Sequence, residues 1–244
     1  MRLKPVAIGS AIAAVLWMLS AMPAASGTVS GTVRYEGKIP KLKRQDMRSD
    51  PGCLAKHGSA PPSELLVLGE GNTVGNVFAR VKSGLPEGEY PIPESPVVLD
   101  QNGCRFIPRV SGIMLGQSFK ILNSDSLMHN VHSLSKVNMP FNFAMPASLR
   151  EIAVEFTSEE WMIPVKCDLH PWMRGYIAVL GHPFHDTTGP DGKFVLSDLP
   201  EGTLEIEIWH ETLGSQTVEV ILGAGETKTV DFTLSPPSKK KKKR

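Results

Sequence analysis

The 244-residue chain holds only three cysteines, three tyrosines and four tryptophans. Past Leu19 it has no apolar run approaching the ~20 residues a membrane helix needs. It lacks a Gly-x-Ser-x-Gly elbow and a glycine-rich phosphate-cradling loop, which removes the usual anchors for serine-hydrolase and nucleotide chemistry. His210-Glu211-Thr212-Leu213-Gly214 opens like a zinc-protease helix, but no second His follows at the required spacing and the segment succeeds a strand-like run. Three cysteines exclude a disulfide-dense scaffold and leave one thiol over after a single bond. The net charge is only +1. That figure conceals an asymmetry, because the cations Lys239 to Arg244 contribute +6. Setting these aside with Arg2 and Lys4 leaves 18 Lys+Arg against 25 Asp+Glu, a body of about −7. An acidic body argues against nucleic acid as the main partner.

Arg2 and Lys4 precede an uncharged apolar stretch from Val6 to Leu19, followed by small residues from Ala21 to Ser26. This pattern predicts a secretory signal peptide over residues 1–26 and a periplasmic or extracellular mature protein. An uncleaved anchor is the competing reading, although the apolar stretch is short for a span. Residues 236–244, beginning at Pro236-Pro237, read as a disordered basic tail. The tail is compatible with docking on an anionic surface or folding back on the acidic body.

Between these ends the chain is punctuated by 22 Gly and 20 Pro, and its apolar residues alternate in short runs, which predicts an all-β protein. Strands are expected around residues 28–35, 77–81, 117–122, 152–156, 176–180, 193–196, 204–209, 217–221 and 229–234. Residues 41–64 read as a long irregular excursion whose order depends on Cys53.

The chemistry concentrates in Cys167-Asp168-Leu169-His170-Pro171-Trp172-Met173, with further imidazoles in Met128-His129-Asn130-Val131-His132. One thiolate, two imidazoles and a weak axial thioether form the ligand set of a type 1 copper site, in which soft sulfur favours Cu(I) and imidazole suits both oxidation states. Cys53 and Cys104 lie outside this loop and are the natural disulfide pair in an oxidising compartment, leaving Cys167 as the odd thiol. A zinc-like quartet of His129, His132, Cys167 and His170 is also conceivable. Residues 129 and 132 have opposite parity on a strand, which places them on opposite faces. Met173 separates the readings, since thioether is a poor zinc ligand.

The segment from Val97 to Leu180 resembles the amicyanin-type cupredoxins through these two motifs, including the short Cys-x-x-His-x-x-Met spacing. The resemblance implies a Greek-key β-sandwich over residues 97–181. It also implies one type 1 copper held by His129, Cys167, His170 and Met173. Asn130 would then steady the thiolate and its loop, with Pro171 and Trp172 in the surrounding shell. Asp168, Leu169 and Trp172 depart from the usual loop and bear on the reduction potential. The His170 ring edge, flanked by Leu169 and Pro171-Trp172, has two readings: it emerges through an apolar docking patch extended by Met139, Pro140, Phe141, Phe143, Met145 and Pro146, or, as is more usual, such residues simply cover the sandwich.

Residues 191–206 and 225–232 resemble the carboxypeptidase regulatory-like, transthyretin- or immunoglobulin-like small β-sandwich. Its opening strand is missing before Gly189, while a suitable one stands at residues 27–40. The expectation is therefore a second sandwich over residues 182–235, completed by the N-terminal β segment 27–96. His182, His185 and His210 suggest either a minor metal site at the junction or, more simply, surface histidines.

The function these features imply is an exported, monomeric carrier of single electrons rather than an enzyme. Its partners would be redox proteins such as a cytochrome or a copper or quinone dehydrogenase. An extracellular binding or adhesion module and a copper-delivery protein are the alternatives.

Overall fold

The computed structural model describes residues 26–237, so the expected signal peptide up to residue 25 and the charged end of the tail lie outside the described residues. The protein is all-β: nineteen strands accompany one short α-helix, Pro51–Ala55, and a single 3-10 turn among the described residues.

Two sheets formed by the central part of the chain face each other. One runs in the order Glu151–Val154, Phe119–Asn123, Val97–Gln101, Phe106–Ile107. The other runs Asn142–Met145, His129–Ser133, Glu160–Lys166, Arg174–Leu180, Val110–Met114. Alternation decides the facing: in Phe119–Asn123 the residues Phe119, Ile121 and Asn123 are buried while Lys120 and Leu122 are half-buried. Leu99, Phe119, Ile121, Val131, Ile163, Val165 and Ile177 fill the space between. Each such side chain contributes roughly 1.5–3 kcal/mol by leaving water.

The remaining strands form two larger sheets and a two-stranded ribbon, Val67–Leu68 with Val74–Gly75. Gly27–Tyr35 lies at the centre of one, antiparallel to Lys193–Leu199 and parallel to Thr227–Thr229 and Phe232–Leu234. In this register Val33 is opposite Phe232. The other sheet has the order His185–Thr187, Phe78–Ser83, Gly202–His210, Gly214–Leu222. Both ends of the described chain thus share one core, built around Val29, Val33, Phe194, Leu204, Ile206 and Phe232.

Gly31 is required where Gly27–Tyr35 passes the Val230 carbonyl, since a Cβ there would collide with that oxygen. The single strand expected over 229–234 is interrupted at Val230 and Asp231. The Asp231 carboxylate accepts the Thr32 N–H at 2.8 Å and so replaces a ladder bond.

The two pairs of sheets meet across Phe78, Val110, Met162, Ala178 and Leu180. At this junction Arg109, 5% exposed, donates to Glu211 at 2.6 Å and to the Arg174 carbonyl at 3.1 Å. His185 stacks on Phe78, and its ring occupies the space a Cβ on Gly112 would need.

Candidate metal centre

Asp125, His129, His170 and Asp50 form a hydrogen-bonded row at one end of the central sheets. His129 opens the strand His129–Ser133, whereas Cys167 and His170 lie in the loop between Glu160–Lys166 and Arg174–Leu180. That loop is tight: the Cys167 N–H donates to the Met173 carbonyl at 3.1 Å and the Met173 N–H to the His170 carbonyl at 2.9 Å. The turn these bonds close carries His170 back towards Cys167.

The two imidazoles approach through Nδ1, 3.0 Å apart, and Cys167 Sγ lies 3.6 Å from His170 Nδ1. The potential ligand atoms of His129, Cys167 and His170 all lie within 4.8 Å of one another. All three residues are buried, as is Met173 at 0% exposure, in and beside the same apolar cluster. An ion about 2.0–2.1 Å from each nitrogen and about 2.3 Å from sulfur needs donors separated by roughly 3–4 Å, as His170 Nδ1 is from His129 Nδ1 and from Cys167 Sγ.

The outer nitrogens are held by carboxylates. His129 Nε2 lies 2.9 Å from Asp125 Oδ2, and His170 Nε2 lies 2.9 Å from Asp50 Oδ2. A carboxylate accepting from Nε2–H leaves the Nδ1 lone pair of a neutral imidazole available to a metal. The donor set therefore fits a soft or borderline ion such as copper. Burial pulls the His129 pKa down, but its bonds to Asp125 and Cys167 raise it to about 9. Burial likewise pushes the Cys167 thiol up, and the bond to His129, with nearby backbone N–H groups, outweighs it and lowers it. Asp125 is driven below the usual carboxylate range despite its burial, by His129, Lys56 and the N–H groups of Cys104 and Gly103.

Asn130 locks the loop. Its Oδ1 accepts the Asp168 N–H at 2.7 Å and stands 3.2 Å from Cys167 Sγ, while its Nδ2 donates to Asn142 and Asp168. His132 turns away to Asp168, 3.0 Å from its carboxylate, and does not join the donor cluster. Trp172 is half-buried, tilted against His170 with centroids 5.1 Å apart, and donates Nε1–H to the Cys104 carbonyl at 3.1 Å. Pro171 is exposed beside it.

Cys53 and Cys104 form the disulfide, and it adjoins the centre: Cys53 Sγ is 3.7 Å from His170 Nε2. The excursion over residues 41–64 is consequently a cover for the site. Of the two readings of His170, the docking edge fails: the residue is 3% exposed and its outer nitrogen is taken by Asp50. Met145 is also no part of a surface patch; it is fully buried and its sulfur accepts from Gln101. His210 is buried at 1% rather than lying at the surface. His182, His185 and His210 form no convergent donor group among the described residues.

No protein-family model matches the sequence, and neither does any curated protein. Among solved structures, the chain is similar to a Cu-containing nitrite reductase from Thermus scotoductus SA-01, at 21% identity and a TM-score of 0.33. That alignment covers 40% of this chain and 25% of the reductase, so the chain spans only a quarter of that protein's length. It is also similar to a methionine-to-alanine variant of amicyanin in the Cu(I) state, at 20% identity and a TM-score of 0.32, covering 42% of this chain and 98% of the amicyanin. An oxidised proline-to-alanine amicyanin variant gives 21% identity over the same shares, with a TM-score of 0.32. Likenesses this distant say nothing about function, and the donor geometry has to stand alone.

Asp50 and Asp125, the carboxylates on the two imidazoles, are the candidate-site residues that sequence reasoning missed. Local signals exist for both. Asp50-Pro51-Gly52 is a helix N-cap followed by proline at the first helical position, immediately before Cys53. Asp125 precedes His129 by four residues, and a carboxylate near a candidate ligand is a partner for its second nitrogen.

Proposed function

We propose that this protein is an exported carrier of single electrons with one type 1 copper held by His129, Cys167, His170 and Met173. The observation that carries the reading is the convergence of two imidazole Nδ1 atoms and one thiol, each imidazole anchored through Nε2 by a buried or half-buried carboxylate. Bound copper would supply a one-electron couple between Cu(I) and Cu(II). His129, Cys167 and His170 would hold it through two nitrogens and a thiolate sulfur, with the Met173 thioether as a fourth, weaker donor. Asp50 and Asp125 hold the rings in place, and Asn130 holds the loop carrying Cys167. A site fixed by its surroundings before the metal arrives needs little rearrangement when the metal changes charge.

The disulfide supports an oxidising compartment, periplasmic or extracellular. We further propose that residues 97–181 form the copper-carrying unit, inserted into a second sandwich built from residues 27–96 and 182–235. The partners in this reading are redox proteins such as a cytochrome or a copper or quinone dehydrogenase, and the carrier is a monomer.

Metal analysis and visible absorption of purified full-length protein test the reading. One copper per chain, with intense blue colour that bleaches on reduction and is lost in Cys167→Ser, is the expected result. A colourless native protein after Cu(II) addition would overturn it.

A further inference from the structure

None of the four proposed ligands reaches the surface: His129 and Met173 are 0% exposed, Cys167 2% and His170 3%. Asp50 and Cys53 close the outer edge of His170. The aromatic ring leading outward is Trp172, tilted against His170 at 5.1 Å. It borders two surface hollows, one flanked by Lys43 and Arg174 and the other by Arg48. Arg48 is paired with Asp46, and Arg109 with Glu211 and Glu64. Among the described residues, Lys43 and Arg174 have no such carboxylate partner. A local positive surface on a body of about −7 orients an approaching partner by its negative face.

We propose that electrons enter and leave through Trp172, and that the surface bearing Lys43 and Arg174 docks an acidic one-electron redox protein. This rests on the copper reading above. Bound copper would supply the one-electron couple: an outgoing electron would oxidise Cu(I) to Cu(II) and reduce the partner's centre, and an incoming one would do the reverse. No bond is broken and no proton moves.

Stopped-flow oxidation of copper-loaded full-length protein tests this with two probes, anionic ferricyanide and cationic tris(phenanthroline)cobalt(III). Trp172→Ala is expected to slow both about tenfold or more, while the conservative Trp172→Phe restores rates to within about threefold of native. The double variant Lys43→Glu/Arg174→Glu should slow the anion about tenfold at low salt and accelerate the cation, with the visible spectrum unchanged. The C-terminal cations are the same in every variant and cancel from the comparison. Native rates in a Trp172→Ala protein with native colour would overturn the Trp172 route. Charge reversal without opposite effects on the two probes would overturn the docking surface. If Trp172→Ala fails to fold, Trp172→Phe and the exposed charge variants still decide, because a slowed Trp172→Phe or unresponsive probes refute the proposal. Failure of the copper reading is distinguishable, since the native protein would then show no blue colour before any kinetics.

Discussion

Asp50 binds His170 with one carboxylate oxygen, at 2.9 Å from Nε2, and caps the helix Pro51–Ala55 with the other, which accepts the Gly52 and Cys53 N–H groups. A single side chain therefore ties the cover to the ligand loop. Asp50→Asn keeps the shape and removes the charge, so copper affinity should fall about tenfold or more, the range typical of outer-shell losses. Competition with a chromophoric chelator measures it; native affinity in the variant would show that Asp50 serves the helix alone.

Asp125 is more deeply placed, with its side chain at 0% exposure and bonded to His129, Lys56 and two backbone N–H groups. Asp125→Asn is expected to weaken copper binding by about 10–100-fold. The same competition assay reads it, alongside a circular dichroism spectrum to confirm the fold.

The Cys53–Cys104 bond closes a sequence separation of 51 residues. In the chain-entropy picture a loop of that size contributes roughly 4 kcal/mol. The Cys53→Ala/Cys104→Ala variant should lose about 2–4 kcal/mol in urea unfolding. An unchanged midpoint would mean that the cover is held by its other contacts.

Arg109 and Glu211 form a nearly dry ion pair, with side chains 4% and 6% exposed. Glu211→Gln leaves the guanidinium with only the more distant Glu64 at 3.6 Å. The expected cost is about 3 kcal/mol, read by urea unfolding. Replacing both partners with apolar residues should recover much of that loss.

Burial lowers His210 to about 4 from 6.5, and desolvation lowers His182 and His185 likewise. Well above pH 6.5 neither folded nor unfolded protein protonates these rings. Between about 6.5 and 4 the unfolded chain takes up protons that the folded state refuses, so stability falls as pH falls through that window. For His210 the full effect is on the order of 3 kcal/mol. Urea midpoints at pH 7 and 4.5 should differ less in His210→Gln than in the native protein.

The strands and the proposed loop ligands were legible because both are local. Alternation over Phe119 to Asn123 reports one buried face, and Cys167, His170 and Met173 occur within one short segment. The parity of His129 and His132 anticipated their separation, the former buried and the latter bonded to Asp168. The break at Val230 and Asp231 was not legible, because it depends on an Asp231 bond to Thr32 across 199 positions.

What the sequence by itself determined was the all-β character and the inventory of donor atoms, since side-chain period and ligand chemistry are properties of short segments. Only the tertiary structure decided that the excursion folds over the centre, that Asp50 reaches His170 across 120 positions, and that Trp172 is left beside the surface. Those outcomes depend on which distant segments share one buried space, where an imidazole N–H deprived of water must find an acceptor.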